Sequence, residues 1–173
     1  MSKFFIAAIL ATLSFSAVDA QDFDTSMSSY GLVDIQSIDD EILVELKYSS
    51  TDNFVGEDMY GDLERAYFEP SFADRVVKAQ QILKRRNPNY TLLIYDAARP
   101  ISVQRHMRKV VEGTQFEGFV ADGTKGGRHN YGVAVDLTIA QIDGSPLDMG
   151  AEFDDFSKAA SVKGLFHRLI IYF

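Results

Sequence analysis

The sequence predicts an α+β fold, a small antiparallel sheet with flanking helices, on three observations. Residues 41–48 and 133–139 alternate apolar and polar with the period of half-buried strands. Between them, Phe72, Val76, Ala79 and Leu83 recur at helical spacings of 4, 3 and 4. No nucleotide-binding glycine pattern follows a strand, which counts against a doubly wound sheet.

Residues 22–34, rich in Ser and Asp, read as an extended arm. In the strand at 41–48, Ile42, Val44, Leu46 and Tyr48 share one face, and Glu45 and Lys47 share the other. Residues 49–61 are crowded with Ser, Thr, Asp, Asn and Gly and predict a long loop. The helix that opens at Pro70-Ser71 closes on Lys84, Arg85 and Arg86, which suit its negative end, and stops at Asn87-Pro88. Residues 92–95 form a short apolar strand, and Asp96-Ala97-Ala98-Arg99-Pro100 is the turn after it, since the residue before proline is pushed out of helix. A second helix is expected over 102–112, a glycine-rich loop over 113–128 and a third strand over 133–139.

Composition narrows the function. The chain has 173 residues, one domain's worth, with 46% hydrophobic residues, enough for a core. A net charge of −8 argues against nucleic acid as the main partner. There is no cysteine, so a metal site must use carboxylates and the three histidines, His106, His129 and His167. Residues 1–20 read as a signal peptide: a basic start at Lys3, an apolar run too short for the roughly 20 residues of a membrane span, and a small-residue cut site ending in Ala20. The expectation is a periplasmic protein whose single domain covers 21–173, without a membrane span after cleavage; nothing in the sequence addresses its oligomeric state.

The chemistry concentrates in Gly127-Arg128-His129-Asn130-Tyr131-Gly132-Val133-Ala134-Val135-Asp136. Fully extended, the chain would hold His129 and Asp136 roughly 23 Å apart on opposite faces. They converge only if it folds back near Gly132, where glycine permits the turn. Asp136 is the single charge in an apolar strand and needs a cation, a metal or several donors. On spacing alone, a strand-end Asp bonded to loop amides beside an ordinary loop histidine fits equally well. His106, among Arg105, Met107 and Arg108, reads as a solvated surface residue.

The segment His129-x-x-Gly132-x-Ala134-x-Asp136 resembles the zinc signature of the D-alanyl-D-alanine dipeptidases and the related D,D-carboxypeptidases, with Gly127 where that pattern has Ser. Three further segments resemble the dipeptidase branch: Lys47 to Gly56 around Tyr48, the Asp96-x-x-Arg99-Pro100 turn, and Met149-Gly150-x-x-Phe153-Asp154. The resemblance implies hydrolysis of D-Ala-D-Ala in cell-wall turnover, with one zinc ion per chain held at the sheet. His129 and Asp136 would be ligands, and the metal would acidify a bound water. Arg99 would stabilise the oxyanion; without the resemblance it reads as a turn salt bridge. Asp154 would pair with the substrate ammonium, Asp96 would line the same pocket, and Tyr48 would touch the substrate. The family's Glu-x-x-His, source of the general base and third ligand, does not occur in these 173 residues, and the last ten resemble the helix preceding it. The expectation is therefore a truncated or frame-shifted reading, or a degenerate copy, that binds zinc weakly and does not hydrolyse D-Ala-D-Ala at a useful rate. His167 is a remote candidate for the third ligand, and Glu152 and Asp155 are bases without supporting spacing. The alternatives are a catalytically dead descendant that at most binds a small cell-wall peptide, and a zinc D,D-carboxypeptidase.

Overall fold

A computed structural model describes residues 23–156. The signal-peptide reading, His167 and the last ten residues lie outside that range. Among the described residues, three α-helices, α1 (Phe23–Ser29), α2 (Pro70–Arg86) and α3 (Ile101–Val111), accompany five strands. β1 (Val33–Asp34) pairs antiparallel with β3 (Tyr67–Phe68). β2 (Leu43–Val44), β4 (Tyr90–Asp96) and β5 (Asp136–Gln141) form a separate sheet with β4 in the middle.

The α+β class and the small sheet hold, but the sheet is mixed. β2 runs parallel to β4, Leu43 opposite Leu93 and Val44 opposite Ile94, while β4 and β5 are antiparallel. A parallel pair requires a long crossover, and α2 lies within it. The helix is tied to β4 by buried Gln80, whose Nε2 donates to Thr91 Oγ1 at 2.8 Å and whose Oε1 accepts from Leu92 N at 2.9 Å. Around this contact Ile35, Ile42, Phe68, Val76, Leu92 and Ile94 make a closed core.

Three local readings change. The expected arm at 22–34 contains α1, because Phe23 and Met27, four residues apart, share a face that packs on the core. The strand expected at 41–48 shrinks to Leu43–Val44, with Glu45 N still donating to Ile94 O, although Ile42, Leu46 and Tyr48 are buried as the alternation requires. Beyond Glu45 the backbone leaves the sheet, and the Tyr48 carbonyl accepts from Met59 N and Tyr60 N instead. The last strand begins at Asp136, three residues later than expected, because Gly132 and Val133 are engaged elsewhere: Glu69 N donates to Gly132 O, and Val133 N to Arg128 O. Among the described residues no helix is long and apolar enough to cross a membrane.

Candidate metal centre and active site

β4 and β5 bring two carboxylates to one end of the sheet. Their register runs from Tyr90 opposite Gln141 to Ile94 opposite Leu137, then slips so that Asp96 faces Asp136. Such irregularities re-aim side chains where a strand ends.

His129 reaches the same place through a reversal. A short 3-10 turn over His129–Tyr131 ends at Gly132, whose φ of 67° is left-handed. A Cβ there would stand 2.8 Å from Glu69 N and 2.9 Å from Leu32 Cδ2. Both conformation and space demand glycine. Gly132→Ala is therefore expected to destabilise the fold by about 2 kcal/mol or more, read as a lower denaturation midpoint. An unchanged midpoint would show that the turn relaxes freely.

The reversal leaves His129 Nε2 3.6 Å from Asp136 Oδ2. The other ring nitrogen, Nδ1, lies 2.8 Å from the Ala97 carbonyl oxygen, which can only accept. Nδ1 thus carries a proton, so that in the neutral ring it is Nε2 that offers its lone pair toward Asp136, the arrangement a metal-binding imidazole needs. One donor atom each from Asp96, His129 and Asp136 falls within 4.8 Å of the others.

Asp96 is already committed. It is fully buried, its Oδ1 accepts from Tyr60 Oη at 2.5 Å, and its Oδ2 forms a short ion pair with Arg99 Nη2. Oδ2 also lies 3.3 Å from His129 Nδ1. Asp96, expected to line the pocket with Asp154, is placed beneath the site, holding the groups that face outward. Arg99 is 9% exposed. Its Nη1 donates to Gln104 Oε1 at 3.0 Å, its guanidinium lies 4.9 Å from the Tyr48 ring centroid, and its buried Nε has no protein partner. Burial works against its charge, but Asp96 outweighs that and holds its pKa above the ordinary value.

At the Tyr48 hydroxyl stands Asp154, at a φ of 57°. Tyr48 Oη donates to its two oxygens at 3.3 and 3.4 Å, and Phe54 N to Oδ2 at 3.4 Å. These are long bonds, and burial outweighs them, pushing the carboxyl up to about 6. Burial also raises the Tyr48 and Tyr60 hydroxyls above their usual value, Tyr48 with help from Asp154 and Tyr60 from Asp96. Both remain proton donors at neutral pH. Asp136 is raised as well, by burial first, with His129 acting in the opposite sense.

The structure thus gathers Asp96, Arg99, His129 and Asp136 at one point, with Tyr48 and Asp154 beside them. His106 stands apart, half exposed and 3.0 Å from Glu57. Residues 28–163 match the Peptidase_M15 family model, D-ala-D-ala dipeptidase. The chain belongs to the D-Ala-D-Ala dipeptidase family. A D-alanyl-D-alanine dipeptidase of Escherichia coli (strain K12) is 33% identical over 124 residues, covering 72% of this chain and 61% of that protein. Another D-alanyl-D-alanine dipeptidase, from Synechocystis, is 29% identical, with 48% of this chain and 44% of that protein covered. The chain therefore spans less than two thirds of the length of the dipeptidases it matches.

Two buried residues of this dipeptidase-family site, Tyr60 and Gln104, escape sequence reasoning. Gln104 leaves one trace, a polar residue on the Gln104, Met107, Val111 stripe that α3 buries. Tyr60, in an irregular loop, leaves none.

Proposed function

We propose that this protein is a zinc-dependent hydrolase of D-Ala-D-Ala-type dipeptides. The observation that carries the reading is the tautomer-fixed Nε2 of His129 facing Asp136 while Asp96 holds Arg99 beside them. The donor set fits zinc: the imidazole nitrogen of His129 and the carboxylate of Asp136, with two further acidic groups, Asp96 and Asp154, close to the same Arg99 guanidinium. Bound between His129 and Asp136, zinc would polarise the scissile carbonyl and acidify a water.

The remaining roles belong to the chain. Arg99 is anchored through Nη2 and Nη1, and its permanent charge meets the negative charge that develops on the carbonyl oxygen. Asp154 receives the free ammonium of the substrate, and Tyr48 keeps that carboxylate in place by its hydroxyl while its ring backs Arg99. An anion at this position favours a free dipeptide over a longer chain, whose amino end lies elsewhere. This separates the reading from that of a D,D-carboxypeptidase. Turnover of D-Ala-D-Ala, matched against zinc content, tests it; zinc-loaded, folded protein with no turnover would leave the alternative of a non-catalytic peptide binder.

The Asp154 carboxyl gives a pH signature. Below about 6 it is protonated and neutral, so it cannot pair with the ammonium. KM for a free dipeptide should rise as pH falls through that value. Asp154→Asn should raise KM at neutral pH by about 10- to 100-fold and remove the pH step. A step surviving in the Asn variant would assign it to another group.

A further inference from the structure

α3 grips the loop that follows it. Arg108 Nη1 donates to the carbonyls of Glu117 and Val120, Arg105 Nε to that of Gly123, and Gln104 Nε2 to that of Ala121 at 3.0 Å. The arginines keep part of their side chains in solvent, whereas Gln104 is 5% exposed and its amide is used at both ends. Its Oε1 accepts from Arg99 Nη1 at 3.0 Å. The orientation is unambiguous, because guanidinium can only donate and a carbonyl can only accept.

We propose that Gln104 is a positioning residue whose amide, bridging Arg99 Nη1 and the Ala121 carbonyl, holds the guanidinium in register and makes that register depend on the seating of the loop at 112–123. This rests on the reading of Arg99 as the group that meets the oxyanion. Asp96 restrains Arg99 from one side only, through Nη2. Without Gln104, Nη1 keeps only the weak acceptor Met107 Sδ at 3.4 Å and Nε is unpartnered, so the guanidinium, still stacked on the Tyr48 ring, can turn in its own plane about the Asp96 ion pair. Gln104 removes the pivot. Its amide carries no charge, so it does this without neutralising Arg99.

The test measures kcat, KM, zinc content and melting temperature of the intact protein on D-Ala-D-Ala. Gln104→Leu should lower kcat by about 10- to 100-fold with KM and zinc content little changed. In an Arg99→Lys background, which already lacks the fork, the same substitution should add little. Gly123→Val provides a variant that touches neither residue. Its Cβ would stand 2.8 Å from Arg105 Cγ at a φ of 72°, so it should unseat the loop and lower kcat in the same way. That variant carries the test if Gln104→Leu does not fold. Wild-type kcat in folded Gln104→Leu, with Arg99→Lys impaired, overturns the positioning role alone. Wild-type kcat in Arg99→Lys overturns the reading of Arg99 and this inference with it. Loss of zinc in Gln104→Leu makes Gln104 structural and also overturns it.

Discussion

Arg99→Ala is expected to lower kcat for dipeptide hydrolysis by on the order of 10²-fold or more while zinc stays bound. The guanidinium touches neither His129 Nε2 nor Asp136 in the structure; its partners are Asp96, Gln104, Met107 and the Tyr48 ring. Its loss therefore falls on the transition state and not on the metal. Stability needs separate control, because Asp96 is fully buried. Removing one partner of a buried pair costs about 3–5 kcal/mol, the penalty of an uncompensated charge. The double variant Arg99→Ala/Asp96→Asn removes that charge and should recover much of the melting temperature without recovering kcat. Arg99→Lys keeps the charge, but one ammonium cannot reproduce the fork that spans Asp96 and Gln104, so it too should be slow. Full activity in a folded, zinc-loaded Arg99→Ala protein would reduce Arg99 to a structural ion pair.

His129→Ala should weaken zinc binding by more than about 100-fold and abolish measurable turnover. Loss of a group that merely orients a ligand typically costs 10- to 100-fold in affinity, and loss of the ligand itself must exceed that. Asp136→Asn should follow in the same direction, since it replaces an anion with a neutral donor. A chelator should silence the unmodified protein, and added zinc should restore it. Zinc held as tightly by His129→Ala as by the parent protein would move the metal away from this pair.

Strong local signals were legible in the sequence, and relations between distant segments were not. α2 is readable end to end because proline, an apolar stripe and a basic last turn agree. The convergence of His129 and Asp136 depended on one glycine, and Gly132 occupies the required left-handed position. The parallel pairing of β2 with β4 was not legible, since two-residue strands carry too little pattern to choose a direction. Nor was the burial of Asp96. A carboxylate at a strand end looks alike whether it faces solvent or a guanidinium three residues on, and the turn that closes Asp96 onto Arg99 is a matter of tertiary packing. Tyr60 illustrates the limit: its hydroxyl completes Asp96 across 36 residues of chain.

The two turns of the site are sewn together by bonds that each end on a backbone group. Arg99 N donates to His129 O, Asn130 Nδ2 to Arg99 O, and His129 Nδ1 bonds Ala97 O. Tyr48 and Asp154 come from other segments, which meet through long bonds of 3.3 and 3.4 Å and through ring edges such as that of Phe153 on Tyr48. Heritable variation can therefore act on the two parts at different rates. Side-chain changes around Tyr48 and Asp154 can accumulate generation by generation while the interlocked turns pass on the cluster of Asp96, Arg99, His129 and Asp136 intact.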